Sequence, residues 1–311
     1  MNLNTTTKGY LLGIIAAATY GMNPLFALPL YEAGMTADSV LFFRYLFAAP
    51  ILALMLKVRG RGFKINVRQG GILAVLGIIF AMSSLTLFLS YNYMDAGIAS
   101  TLLFVYPLLV AVIMALFFRE KMTVRMMLCL VTALIGIALL YRGADGATLS
   151  LTGTLFVFGS SLSYAIYIVA VNRSGLDHVP TLKLTFYVLL FGFSLFVVRV
   201  FLQGGLEFPP YWYLWGNLLA LALFPTAISL LCTTQAIQYI GSTPTAILGA
   251  LEPVTAVFFG ITVFGEIVTP RNALGMILII VSVTIVVGGG SMPRLLNRLR
   301  KMFPRLIRKK V

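Results

Sequence analysis

Ten apolar stretches alternate with short polar breaks along the chain. Each stretch runs about 17 to 25 residues, the length an α-helix needs to cross a bilayer. The pattern predicts helices over 9–28, 37–56, 70–91, 97–118, 122–141, 151–171, 181–202, 212–236, 243–264 and 272–288. The breaks at the 3/4 and 8/9 junctions are only a few polar residues long. The fold class expected is an all-α integral membrane protein with ten transmembrane helices.

Composition agrees with the pattern. Of 311 residues, 60% are hydrophobic and only 10% charged, against roughly 25% charged in a soluble domain. Cys129 and Cys232 both fall within apolar stretches and read as small packing residues. The first apolar run follows Lys8 and lacks a small-residue cleavage pattern, so it reads as a spanning helix rather than a signal peptide.

The net charge of +14 acts here as a topology signal. With a cytoplasmic N-terminus, 19 of the 23 basic residues fall in cytoplasmic segments, eight of them after Gly290. Glu32, Asp38, Asp95, Asp145, Glu207 and Glu266 then lie outside. Both termini are expected to be cytoplasmic, in a bacterial-type inner membrane. Residues 291–311 place Leu295, Leu296, Leu299, Met302, Phe303 and Leu306 at helical spacing among basic residues. Such a tail is expected to lie on anionic lipid rather than on nucleic acid.

The two halves repeat. At an offset of 146, Tyr93 meets Tyr239, Pro107 meets Pro253, Glu120 meets Glu266, Thr123 meets Thr269 and Arg125 meets Arg271. Leu102, Phe118 and Leu128 likewise meet Leu248, Phe264 and Leu274. At an offset of 144, Gly9 meets Gly153 and Tyr20 meets Tyr164. The expected organisation is one five-helix repeat over 1–145, a second over 146–290, and the basic tail. Because five is odd, the second repeat enters from the opposite side. Inverted repeats offer two nearly equivalent arrangements, one open to each side, which is the mechanical basis of a carrier.

The stretch AIQYIGSTPTAILGALEPVTAVFFGITVFGEIVTPRNALG, Ala236 to Gly275, resembles the second EamA domain of the drug/metabolite transporter superfamily. Its Glu252-Pro253 pair and the Gly265-Glu266 pair before the last helix carry the likeness. YGMNPLFAL and FFRYLFAAP in the first two helices resemble the first such domain. Tyr106 before Pro107 departs from many relatives. The resemblance implies a central cavity walled by helices 1, 3, 4, 6, 8 and 9, and export of small metabolites.

Glu252 is the acid deepest in an apolar stretch. It reads either as a coupling or substrate-cation site or as a structural carboxylate beside the helix break at Pro253. Arg44 lies within the second stretch. It reads as an anchor for a substrate carboxylate, as a gate partner of Glu252, or as a snorkelling side chain. Tyr106 and Pro107 occupy the equivalent break in helix 4. Further cavity candidates are Tyr20, Asn23, Asn92, Ser100, Tyr164, Tyr167, Thr233, Gln235 and Thr245; each could equally be packing or helix–helix hydrogen bonding. Thr243 reads as a possible cap of helix 9. Glu120 with Arg125, and Glu266 with Arg271, are expected to pin interfacial turns. Tyr211, Trp212, Tyr213 and Trp215 read as an aromatic belt.

Enzymatic chemistry finds no support. His178, the one histidine, sits in a short loop, and no metal-ligand spacing, Ser-His arrangement or phosphate-cradling motif occurs. No cofactor or metal is expected. Expected partners are a small-molecule substrate and membrane lipids, in a monomer or weak homodimer. A secondary carrier of amino-acid-like, aromatic or drug-like metabolites, working by alternating access as a proton-coupled exporter, is the implied function; an importer, an exchanger, a channel or an intramembrane enzyme are the alternatives.

Overall fold

Prolines and glycines decide where the long helices break and where they touch. The computed structural model describes residues 5–60, 62–118, 124–140, 150–174, 176, 179–240, 245 and 248–288. The tail 291–311, Glu120, the Arg125 side chain, His178 and Thr243 lie outside the described residues. All regular structure among those described is helical.

The first repeat comprises α1 (Thr5–Gly21), α2 (Asn23–Glu32), α3 (Ala37–Val58), α4 (Val67–Ser90), α5 (Ala96–Leu103), α6 (Tyr106–Phe118) and α7 (Val124–Leu140). The second comprises α8 (Leu151–Arg173), α9 (Thr181–Leu202), α10 (Leu214–Ala222), a π-helical turn (Leu223–Ile228), α11 (Ser229–Ile240), α12 (Leu251–Phe264) and α13 (Pro270–Gly288). Seven stretches among the described residues are long and apolar enough to cross a bilayer: Thr5–Glu32, Ala37–Val58, Val67–Ser90, Ala96–Phe118, Leu151–Val171, Thr181–Leu202 and Leu214–Thr233. α7, α12 and α13 are apolar too, and α12 has 14 residues. The protein is a multi-pass membrane protein.

The boundaries differ from the sequence expectation at the prolines. Helix 1 runs on to Glu32 but breaks at Met22, before Asn23-Pro24. Helix 4 breaks at 104–105, before Tyr106-Pro107. Helix 8 carries its π turn around Pro225. A proline lacks the N–H that would bond the carbonyl four residues earlier, and hydrocarbon offers no water to replace it.

Most of the major helix contacts recur when the halves are exchanged. α4 packs on α8 as α11 packs on α1; α4 packs on α9 as α10 packs on α3; α6 packs on α8 as α12 packs on α1. The pairs α3–α9 and α7–α13 map onto themselves. Small residues let backbones meet directly. A Cβ added to Gly77 would lie 2.7 Å from the Val188 carbonyl oxygen and 2.9 Å from the Gly192 nitrogen. One added to Gly136 would lie 2.8 Å from the Gly275 carbonyl oxygen.

One end of the bundle is closed by polar contacts between the repeats. Arg199 donates to Asp38 through Nε and, at 3.1 Å, through Nη2, and Gln203 Nε2 donates to Asp38 at 2.6 Å. Thr36 N donates to the Glu207 carboxylate, and Glu207 N donates to Ser39 Oγ at 3.1 Å. Glu266 was expected to serve the turn it shares with Arg271. Instead its carboxylate accepts from Ala96 N at 2.7 Å and Gly97 N at 3.2 Å, at the open amides that begin α5. Burial and the nearby Asp95 carboxylate hold the Glu266 carboxyl above its ordinary range, opposed by those two amide bonds. Trp215 packs edge-on and tilted among Phe43, Phe47 and Phe208 at the same end, whereas Trp212 is exposed.

Candidate functional site

Four helix-breaking prolines surround the middle of the bundle, and each carbonyl that they free finds a donor. Pro24 frees the Tyr20 carbonyl, which accepts from Asn23 Nδ2 at 2.9 Å. Pro107 frees the Leu103 carbonyl, which accepts from Ser161 Oγ across the repeat boundary at 3.2 Å. Pro225 frees the Leu221 carbonyl, which accepts from Thr226 Oγ1 at 3.1 Å. Pro253 frees the Gly249 carbonyl, which accepts from the Glu252 N–H at 2.9 Å. The breaks therefore place polar side chains at depth by necessity.

Around these breaks lies a small cavity, lined by Tyr20, Gly21, Asn23, Leu87, Tyr91, Ser100, Leu103 and Glu252. It joins α1, α2, α4, α5 and α12, and so both repeats. A larger cavity, of about 290 Å³, lies at the opposite end from the Asp38 contacts, by the 171–181 connection. Its walls include Phe80, Tyr164, Tyr167, Val171, Leu230 and Thr233. The Tyr106 ring meets Tyr164 edge-on at 4.6 Å, and Tyr164 stacks with Tyr167 at 6.0 Å.

Arg44 is 6% exposed. Its Nε donates to Thr226 Oγ1 at 3.0 Å, and its guanidinium lies 5.3 Å from the Phe88 ring centre. That is a cation–π contact sheltered from water. Among the described residues no carboxylate pairs with it, Glu252 included. The Phe88 ring in turn meets Tyr91 at 5.5 Å, and Tyr91 lines the small cavity with Tyr20 and Glu252. The guanidinium and the carboxylate thus flank one polar centre without touching.

Of the residues expected from sequence, Tyr20, Asn23, Ser100 and Glu252 come together in the small cavity. Tyr164, Tyr167 and Thr233 come together in the larger one. Asn92 is exposed in the turn after α4. Gln235 is half-buried and Thr245 buried, and neither lines either cavity. Tyr91, Phe80 and Thr226 were missed. Thr226 had a signal, since it follows a proline inside a spanning segment. Tyr91 and Phe80 are aromatic residues in an apolar run and carry none.

The fold and its buried polar centre define a multi-pass membrane transporter. The chain belongs to the EamA-like transporter family, which matches residues 7–142 and 151–288. It is similar to YicL, an uncharacterized inner membrane transporter of Salmonella typhimurium, with 25% identity over 91% of this chain and 96% of that one. It is 26% identical to the transporter YyaM of Bacillus subtilis, over 83% of this chain and 87% of the other. The threonine/homoserine exporter RhtA of Escherichia coli is 28% identical over 61% of each chain. A solved crystal structure shares the fold, with a TM-score of 0.66 and 17% identity over 89% of this chain and 97% of that one.

Proposed function

We propose that this protein is a secondary active transporter that exports small organic metabolites by alternating access, with Glu252 as the proton-coupling residue. Ten membrane helices form two inverted five-helix repeats, both termini are cytoplasmic, and the membrane is a bacterial inner membrane. The observation that carries the reading is the buried centre shared by the repeats. Glu252 of the second repeat lines it beside Tyr20 and Tyr91 of the first, and Arg44 of the first lies behind Tyr91 across the Phe88 ring. Intramembrane charges in such positions mark substrate and ion paths.

The packing supports the inversion, because most of its major contacts survive exchange of the halves. The charge distribution supports the orientation, because the basic loops share the end with the larger cavity. In that orientation the polar contacts at Asp38, Glu207 and Glu266 close the outer side, and the cavity beside Tyr164 faces the cytoplasm. The relative RhtA, a threonine/homoserine exporter, supports an amino-acid-like substrate.

The test is transport in proteoliposomes with an imposed pH gradient, comparing the natural chain with Glu252→Gln. Saturable counterflow lost with its pH dependence in the variant supports the reading. Unsaturable flux would make the protein a channel, and full pH-driven transport by the variant would reduce Glu252 to a structural role. Net uptake under the physiological gradient would make it an importer.

A further inference from the structure

The larger cavity has a wall of rings and a set of idle hydroxyls. Phe80 of α4 meets Tyr167 of α8 at 5.2 Å and Tyr164 at 6.2 Å, tilted by 51° and 55°. Tyr164 and Tyr167 are three residues apart and so share one face of α8. Leu184, Val188 and Leu189 of α9 and Leu230 of α11 add aliphatic surface. Among the described residues that line the cavity, none is charged. Lys183, next to them in α9, is engaged elsewhere and donates to the Lys64 carbonyl at 3.2 Å.

The hydroxyls set this space apart from a gap for lipid. A threonine inside an apolar helix commonly donates to the carbonyl four residues earlier. Thr86, Thr101, Thr255, Thr262 and Thr284 all do so here. Thr185 and Thr233 line the cavity and make no such bond, although α9 and α11 place a carbonyl at that position for each. The Tyr164 and Tyr167 hydroxyls likewise have no hydrogen-bond partner among the described residues. All four oxygens keep accessible surface, unlike the sealed oxygens of Asn23, Asn272 and Ser282. Thr185 is otherwise buried, so its oxygen opens onto the cavity.

These walls select by charge, shape and polarity. An ion entering here would shed its hydration without meeting an opposing charge. An acyl chain would use none of the four hydroxyls. A flat ring can lie against Phe80, Tyr164 and Tyr167, and a neutral polar substituent can bond hydroxyls that both donate and accept. The volume of about 290 Å³ exceeds the roughly 150 Å³ that is enough for benzene, which leaves room for such a substituent.

We propose that the larger cavity binds an uncharged single-ring aromatic molecule, or the ring of a larger one, bearing a small neutral hydrogen-bonding group. The inference deepens the carrier reading, on which the occupant's status as cargo rests. The binding itself does not depend on transport. A cargo with charged groups would place only its ring here.

The probe is benzamide, read by the thermal stability of the purified full chain, since a ligand of the native state raises its melting temperature. Sodium benzoate and benzylammonium chloride keep the ring and add a charge of either sign. Cyclohexanecarboxamide keeps the amide and gives up the aromatic ring. The expected result is saturable stabilisation by benzamide, with each of the other three needing at least about fivefold more for half-saturation. Equal stabilisation by either ion, or by the saturated amide, overturns the proposal. So does the absence of any benzamide effect. Thr185→Val keeps the shape of the side chain, costs the fold no hydrogen bond among the described residues and withdraws one hydroxyl from the cavity. It should raise the benzamide half-saturation about fivefold, and an unchanged value overturns the proposal. The ligand series uses the natural chain and stands even if the variant fails to fold. Benzamide binding by a protein without saturable counterflow would support the site while removing the carrier reading. Saturable counterflow without benzamide binding would keep the carrier and overturn the site.

Discussion

The breaks before Pro107 and Pro253 occupy the same position in the two repeats and have been given opposite chemistry. In α6 the residue before the proline is Tyr106, a ring packed edge-on against Tyr164. In α12 it is Glu252, a carboxylate lining the small cavity with Tyr20, Tyr91 and Ser100. Their freed carbonyls are also treated differently. Leu103 borrows the hydroxyl of Ser161 from the other repeat, while Gly249 is served by the backbone N–H of Glu252. Duplication supplied two identical backbone openings. Divergence of one residue at each made one of them aromatic and the other charged, so a two-fold frame holds a one-sided centre.

The largest expected effect removes that one-sidedness. Glu252→Gln should lower pH-driven flux at least about tenfold, the scale of losing a specific charged contact, while Tyr106→Phe retains most of it. Parallel flux measurements on the two variants check this. Next is the close approach behind Glu252. A Cβ on Gly21 would lie 2.7 Å from Thr255 Cβ and closer still to the Glu252 carbonyl oxygen. Gly21→Ala should therefore destabilise by about 1–3 kcal/mol, as overpacking does, seen as a lower melting temperature. The repeat mate of Gly21 at an offset of 144 is already an alanine, Ala165, so the tight contact belongs to the charged break alone.

A smaller effect isolates the other break. Ser161→Ala removes the donor to the Leu103 carbonyl and should cost about 1–2 kcal/mol. No side-chain substitution has the same action at Gly249, because a backbone group serves it. The smallest effect lies away from both, at Glu266. Its carboxyl is held above the ordinary range, so the native state binds the proton more tightly than the unfolded chain does. This contribution to stability is full below the ordinary carboxylate range and is lost as pH rises through the elevated value. Glu266→Gln should flatten that part of the melting-temperature-versus-pH curve.

Hydropathy was enough to locate the seven stretches long and apolar enough to span, because spanning length is a constraint on each segment separately. The 146-residue repeat was enough to pair the prolines, because Pro, Glu, Thr and Arg matches stand out from apolar background. Asn23 and Glu252 were visible as polar residues beside prolines. Their meeting was not, since it depends on how α2 and α12 pack against α5. Tyr91 and Phe80 were hidden because an aromatic residue in an apolar run has no distinguishing neighbour. Glu266 misled through proximity: Arg271 is near in the chain, but the open amides at Ala96 and Gly97 are nearer in space.

The Asn23 amide repairs the opening that Pro24 makes, its nitrogen donating to the Tyr20 carbonyl. An evolving lineage cannot revise the two separately. An ionised aspartate or a leucine at 23 abandons the Tyr20 carbonyl, so change at this position is channelled through the few side chains that can donate to it, or waits until Pro24 itself is lost.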